Sequence, residues 1–167
     1  TLGVCFAKQE DFAAAEEHLR RALTLDANQN FARIALGRAL FAQNRLEECV
    51  EQLRIAVEVE PSALDAQYFL GEACRRLGRW DAARRALEAA SDIAPGFVDA
   101  EMALAALAYD EGHFQEAAAR YGRILQRDPS SSAAILGRGR SLAQMGRDAE
   151  AAQMFDGLLR RAPQHVE

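Results

Sequence analysis

The chain has 167 residues, half of them hydrophobic, and a formal net charge of −5. That length can bury a core, and the acidic balance argues against a nucleic-acid partner, whose counterions only a basic face displaces. No apolar run approaches the ~20 residues that a bilayer-spanning helix needs, so direct membrane insertion is not expected. Nineteen of the twenty basic residues are Arg, Lys8 being the single Lys. With the abundant Ala, this reads as the codon bias of a GC-rich bacterial genome and not as phosphate recognition.

Five sequence columns share one period of 34 residues. Prolines stand at Pro61, Pro95, Pro129 and Pro163. A small residue recurs at Gly3, Gly37, Gly71, Ala105 and Gly139, preceded by Leu2, Leu36, Leu70, Leu104 and Arg138. A second small column runs Ala15, Cys49, Ala83, Ala117, Ala151, and four residues on a bulky one runs Leu19, Leu53, Leu87, Tyr121, Phe155. A fixed period of this length marks a stacked-repeat architecture, in which no repeat buries its apolar face alone.

In chain order, the apolar spacing predicts two helices, A and B, per repeat. The expected spans are about 1–9 and 12–25, 30–43 and 46–59, 64–77 and 80–93, 98–111 and 114–127, and 132–145 and 148–161. The corresponding repeats are about 1–29, 30–63, 64–97, 98–131 and 132–165, a single array. Thr1 falls inside the first helix without an initiator Met. The chain therefore reads as a piece of a longer protein with its first repeat truncated. No signal peptide is visible.

The breaks between A and B helices fall at Asn44, Gly78, Gly112 and Gly146, residues that tolerate a left-handed helix end. In the first repeat Glu10 stands there, with Asp11 as the expected N-cap. The prolines close the B helices, because Pro turns its predecessor away from helical geometry. Where Ala27 replaces Pro, the stop rests on Asn28 and Asn30. Ser62 and Ser131 or Ser132 are candidate caps for the next A helices. The last repeat holds Gly137, Gly139 and Gly157, and is expected to be the softest complete one, since a helix-interior Gly costs ~1 kcal/mol against Ala. Its stripe of Phe155, Leu158 and Leu159 is one that a following helix would cover.

LGRAL (36–40) and LGEAC (70–74) resemble the first-helix core of the tetratricopeptide repeat, and the Gly–Arg or Gly–His turn pairs and the closing prolines extend the likeness over the whole chain. The resemblance implies an all-α, right-handed superhelical α-solenoid with A helices inside and B helices outside. It also implies that the inner A-helix face binds partners. That face reads Phe31, Ile34, Arg38, Phe41 in the second repeat and Asp65, Tyr68, Glu72, Arg75 in the third. It continues as Asp99, Met102, Ala106, Tyr109 in the fourth and Ala133, Leu136, Arg140, Ala143 in the fifth. The expected contact set is Phe31, Arg38, Phe41, Tyr68, Glu72, Arg75, Tyr109 and Arg140. An apolar and aromatic floor ringed by charge suits a peptide or amphipathic helix of a protein partner in a concave groove. Ile34, Met102 and Leu136 read instead as seals between A helices. A clamp for chaperone C-terminal carboxylates is not expected, because its Lys and Asn columns hold Ile34, Ala35, Tyr68, Phe69, Met102 and Ala103.

Nothing in the sequence marks an enzyme, a cofactor or a metal. His18, His113 and His165 fall in different columns, and carboxylate pairs such as Glu16–Glu17 and Glu47–Glu48 read as solvated surface. Cys5, Cys49 and Cys74 have no CxxC spacing and read as packing residues, not a disulfide framework. Free thiols fit a reducing compartment, which leans to the cytoplasm over the periplasm. The leading reading is a non-catalytic protein-interaction scaffold. The alternatives are the repeat segment of a larger bacterial transferase or polysaccharide-export and secretion protein, or a scaffold that self-associates through uncapped ends.

Overall fold

The computed structural model describes residues 9–159, with side chains from residue 14 onward. Nine helices and no strand occur among the described residues. They are α1 (Gln9–Leu25), α2 (Asn30–Ala42), α3 (Leu46–Val59), α4 (Leu64–Arg76), α5 (Trp80–Ile93), α6 (Val98–Asp110), α7 (Phe114–Arg127), α8 (Ser132–Gln144) and α9 (Asp148–Leu159). From α2 onward every start matches the sequence expectation. Each A helix ends one residue early, because its expected last residue is the C-cap. The helices fall into two compact units, one ending at Pro95 and the other starting at Gly96.

The turns carry the geometry that the sequence demanded. Asn44, Gly78, Gly112 and Gly146 all have positive φ, from 58° to 81°. After each, an N–H reaches back to a carbonyl five residues earlier: Arg45 to Leu40, Arg79 to Cys74, His113 to Ala108 and Arg147 to Leu142, at 2.8–2.9 Å. These bonds satisfy carbonyls that the helix end leaves open. Before the prolines, Glu60, Ala94 and Asp128 are extended, with φ near −130°.

Three local expectations are corrected. The break at Glu10 and Asp11 is absent, since α1 runs through both. Glu has no ready access to the left-handed conformation that Gly or Asn supplies in the other repeats. The expected helix 1–9 otherwise lies outside the described residues. Ser62 does not cap α4, whose N-cap position is Ala63 and receives no side-chain bond. Ser131 does cap α8, its Oγ accepting from the Ala134 N–H at 3.4 Å. The stop before α2 is made by Asp26, whose Oδ1 accepts from the Asn28 N–H at 3.0 Å.

In the first unit, α2, α3 and α4 share a core of Leu36, Leu40, Leu46, Cys49, Leu53 and Ala56 with Ala66 and Ala73, edged by Leu19 and Leu23 of α1. The small column lets each A helix touch its B helix. A Cβ at Gly37 would lie 2.4 Å from Leu53, and one at Gly71 would lie 2.5 Å from Leu87. Cys49 and Cys74 are buried free thiols. Burial, with the neighbouring Cys74 adding to it, pushes Cys49 up to about 12. Cys5 lies outside the described residues.

Glu16 and Glu48 are not the solvated carboxylates expected. Arg45 binds Glu16 at 2.7 Å and Glu48 at 2.6 Å, and Arg20 joins the same two carboxylates at 2.9 Å. Gln43 adds a bond to Glu16 at 3.1 Å. The cluster ties α1 to α3 and the turn before it. Partial burial works against ionising Glu16, but the bonds from Arg20, Arg45 and Gln43 outweigh it and hold the carboxyl below its ordinary 4.5. The depressed folded value makes this stability present above the unfolded pKa and lost as pH falls through the folded one.

In the second unit, Ala105, Ala108, Ala117, Tyr121, Ile124 and Ala134 join α6, α7 and α8. Tyr121 takes a bulky-column place that Leu19, Leu53 and Leu87 fill elsewhere, and its ring reaches α8. There a Cβ on Gly137 would stand 2.3 Å from the ring carbon that bears the hydroxyl. The Gly137 column holds Ala35, Phe69 and Ala103 in earlier repeats, so the glycine answers the tyrosine. Phe155 of the expected exposed stripe packs on Gly139, while Leu159 is 70% exposed. Gly137 and Gly139 are thus packing residues, whatever their cost in helix propensity.

Two outcomes follow from these contacts. Gly137→Ala should cost about 1–3 kcal/mol by overpacking, and much less in a Tyr121→Leu background; urea denaturation of the four-member cycle reads the coupling. Below about pH 4.5 the wild type should lose stability more steeply than Glu16→Gln, as followed by helical circular dichroism against pH.

Candidate partner-binding surface

In the first unit the surface is built on α2 and α4, which pack side by side. Helical spacing places Phe31, Arg38 and Phe41 along α2 and Tyr68, Glu72 and Arg75 along α4. Phe31 is 85% exposed, a large apolar ring with almost no packing. Arg38 Nη1 donates to Asp65 Oδ2 at 2.9 Å, joining the two helices. Both side chains are just over half exposed, at 54% and 53%. Such a pair contributes at most about 1 kcal/mol, so either partner can be redirected at small cost.

Phe69, outside the expected contact set, is the hub of this face. Its ring meets Phe41 edge-on at 5.3 Å and Tyr68 edge-on at 5.1 Å between centroids. The Arg38 guanidinium lies 5.4 Å from the Phe69 centroid, and Arg76 stacks 4.3 Å over Phe41. Phe69 also packs on the core, so it fixes the other rings while remaining only partly buried. Its neighbours in the 34-residue column are Ala35 and Ala103, and an aromatic where the column is small was the signal available in the sequence.

Glu72 is differently placed from the rest. It is 8% exposed, and Arg75 closes on it with bonds of 2.9 and 3.3 Å. Arg76 stands 4.0 Å from the same carboxylate. Glu72 therefore holds Arg75 in place and offers little surface of its own. Ile34 packs on the core, in keeping with a sealing role.

In the second unit α6 and α8 are the adjacent A helices. Arg140 of α8 lies 5.4 Å from the Tyr109 ring centroid of α6, a cation–π arrangement between the two helices. Tyr109 meets Phe114 edge-on at 5.3 Å. Met102 packs on the core as expected, but Leu136 is 43% exposed and belongs to the surface. Tyr109, Arg140 and Leu136 thus form one mixed aromatic, cationic and apolar face.

Among the described residues no group of His, Cys, Asp and Glu is arranged to hold a metal. No described helix is long and apolar enough to cross a membrane. His113 sits in the exposed turn before α7, 3.8 Å from Glu111. His165 lies outside the described residues.

Models of the tetratricopeptide repeat match residues 1–29, 34–96 and 108–167. No curated protein matches the chain. Among solved structures, a crystal structure of MamA is 22% identical, covers 96% of this chain and 94% of its own, and gives a TM-score of 0.84. MamA from Desulfovibrio magneticus RS-1, from residue 41 to its end, is 16% identical over 94% of this chain and 89% of its own, with a TM-score of 0.85. YrrB, described as a repeat protein of this kind with an unusual peptide-binding site, is 20% identical over 93% of this chain and 80% of its own, with a TM-score of 0.79.

Because the Arg38–Asp65 pair is exposed, Arg38→Ala and Asp65→Ala should each shift unfolding free energy by less than about 1 kcal/mol. Urea denaturation of the two variants checks it.

Proposed function

The chain belongs to the tetratricopeptide repeat family, and from that premise we propose that it is a non-catalytic scaffold holding a peptide or helix of a protein partner against its A helices. It works as a single array of five repeats. The observation that carries this reading is the gathering of exposed or half-buried aromatic rings with arginines on the A-helix faces. Phe41, Tyr68 and Phe69 stand with Arg38 and Arg76 in one unit, where Phe31 is exposed on the same helix as Phe41, and Tyr109 stands with Arg140 in the other. A face that served only to pack helices would not leave Phe31 in solvent. Tyr and Arg also dominate interface energies, because each combines a large apolar area with a polar end.

The contact set is Phe31, Arg38, Phe41, Tyr68, Arg75, Tyr109 and Arg140, with Glu72 positioning Arg75. The peptide-binding site of YrrB supports a peptide as ligand, at the level of a shared fold.

The test compares the wild type with Tyr68→Ala/Tyr109→Ala as baits, followed by titration of any retained partner. The expected outcome is a partner bound by the wild type and weakened at least about 30-fold, or ~2 kcal/mol, in the double variant. Helical circular dichroism should be unchanged. Equal binding by both baits removes the A-helix face as the site.

A further inference from the structure

Arg138 stands in a column that is otherwise Leu2, Leu36, Leu70 and Leu104. Leu36 and Leu104 are buried there. Arg138 is partly buried on α8, and its Nε–H is enclosed with no acceptor among the described residues. A second column departs at the same place. Gly122 on α7 follows Arg20, Arg54 and Glu88, so that no long polar side chain stands beside the guanidinium. A Cβ at Gly122 would lie 3.7 Å from Arg138 Cζ.

The two departures open a shallow depression of about 310 Å³ between α7 and α8. Arg138, Arg123 and Gln126 provide its polar lining, and Leu125 and Ala118 part of its apolar wall. No carboxylate lines it. Arg123 has no ion pair among the described residues. Glu150 of α9 senses the charge of Arg138, but Arg147 holds both its oxygens at 2.7 Å. Two cations, a buried N–H lacking an acceptor and an apolar wall thus share one site away from the aromatic A-helix contacts.

An enclosed charged donor is unfavourable until an acceptor reaches it. The arginine fork matches a planar carboxylate. The depression lies on the middle of α7, where backbone N–H groups are spent within the helix. Backbone donors of the kind that help to surround a phosphate are therefore missing, while Leu125 can cover the aliphatic stem of a glutamate. We propose that this depression binds a glutamate side chain from an acidic segment of a partner protein, on a second surface independent of the A-helix face.

Arg138→Leu restores the residue of the column and should fold, which makes it the informative variant. The probe is a blocked oligoglutamate peptide, with oligoglutamine and inorganic phosphate as controls. Binding is read by the Nε–Hε resonance of Arg138 and, in every variant including Arg138→Leu, by the backbone amide resonance of Gly122 in the same depression, in ¹⁵N-labelled protein. Oligoglutamate should shift that resonance, and its affinity should fall at least about tenfold in Arg138→Leu and in Arg123→Ala. Oligoglutamine should not shift it, and phosphate should do so only at much higher concentration. An unmoved Arg138 resonance at millimolar peptide, equal binding by Arg138→Leu, or phosphate binding as tightly as the peptide overturns the proposal.

Discussion

The distance at which an A helix meets its B helix governs the other features. That distance is set by a glycine or alanine opposite a bulky side chain, as at Gly37 with Leu53 and Gly71 with Leu87. With a Cβ in those places the helices would have to part by a large fraction of an ångström, and the buried leucines beneath would lose contact. Close packing makes such shifts costly. The same constraint fixes which A-helix residues turn inward, and so which are left for a partner.

The second unit shows how the constraint adapts. Tyr121 is too long for its own repeat and extends to α8, where Gly137 has given up its Cβ. Arg138, next in sequence, lies against Gly122, where a Cβ would stand in ordinary contact 3.7 Å from the guanidinium carbon and the long side chains of that column are absent. In both places a large residue in one column is matched by a glycine in another. These departures from periodicity are local and compensated. They distinguish this array from a uniform repetition of one unit.

Electrostatics is distributed unevenly between the two sides of the first unit. The cluster of Glu16, Arg20, Arg45 and Glu48 spends its charges on one another and joins elements distant in sequence. Within α4 the buried Glu72 likewise spends its charge inside the molecule, holding Arg75 in place. By contrast Arg38 and Arg76 lie over aromatic rings, and the ion pair of Arg38 is exposed. Charges that hold the scaffold are separable from charges that can meet a partner. The family alone does not make that separation; the side-chain geometry does.

The helices, their turns and the repeat were legible in the sequence because they depend on local chemistry. A left-handed φ calls for Gly or Asn, Pro forbids helix at its predecessor, and a 3.6-residue period fixes a face. Where that local chemistry was weak, at Glu10 and Ser62, the expectation failed. The candidate surface was legible only in outline. A column assigns Tyr109 and Arg140 to one face, but their stacking depends on the spacing and rotamers of two helices. The same is true of Phe69, which joins Arg38, Phe41 and Tyr68, and of Glu72, whose burial no column reveals. Sequence thus determined which residues share a face. Tertiary structure decided which of them touch, because contact depends on interhelical distances that no single repeat sets.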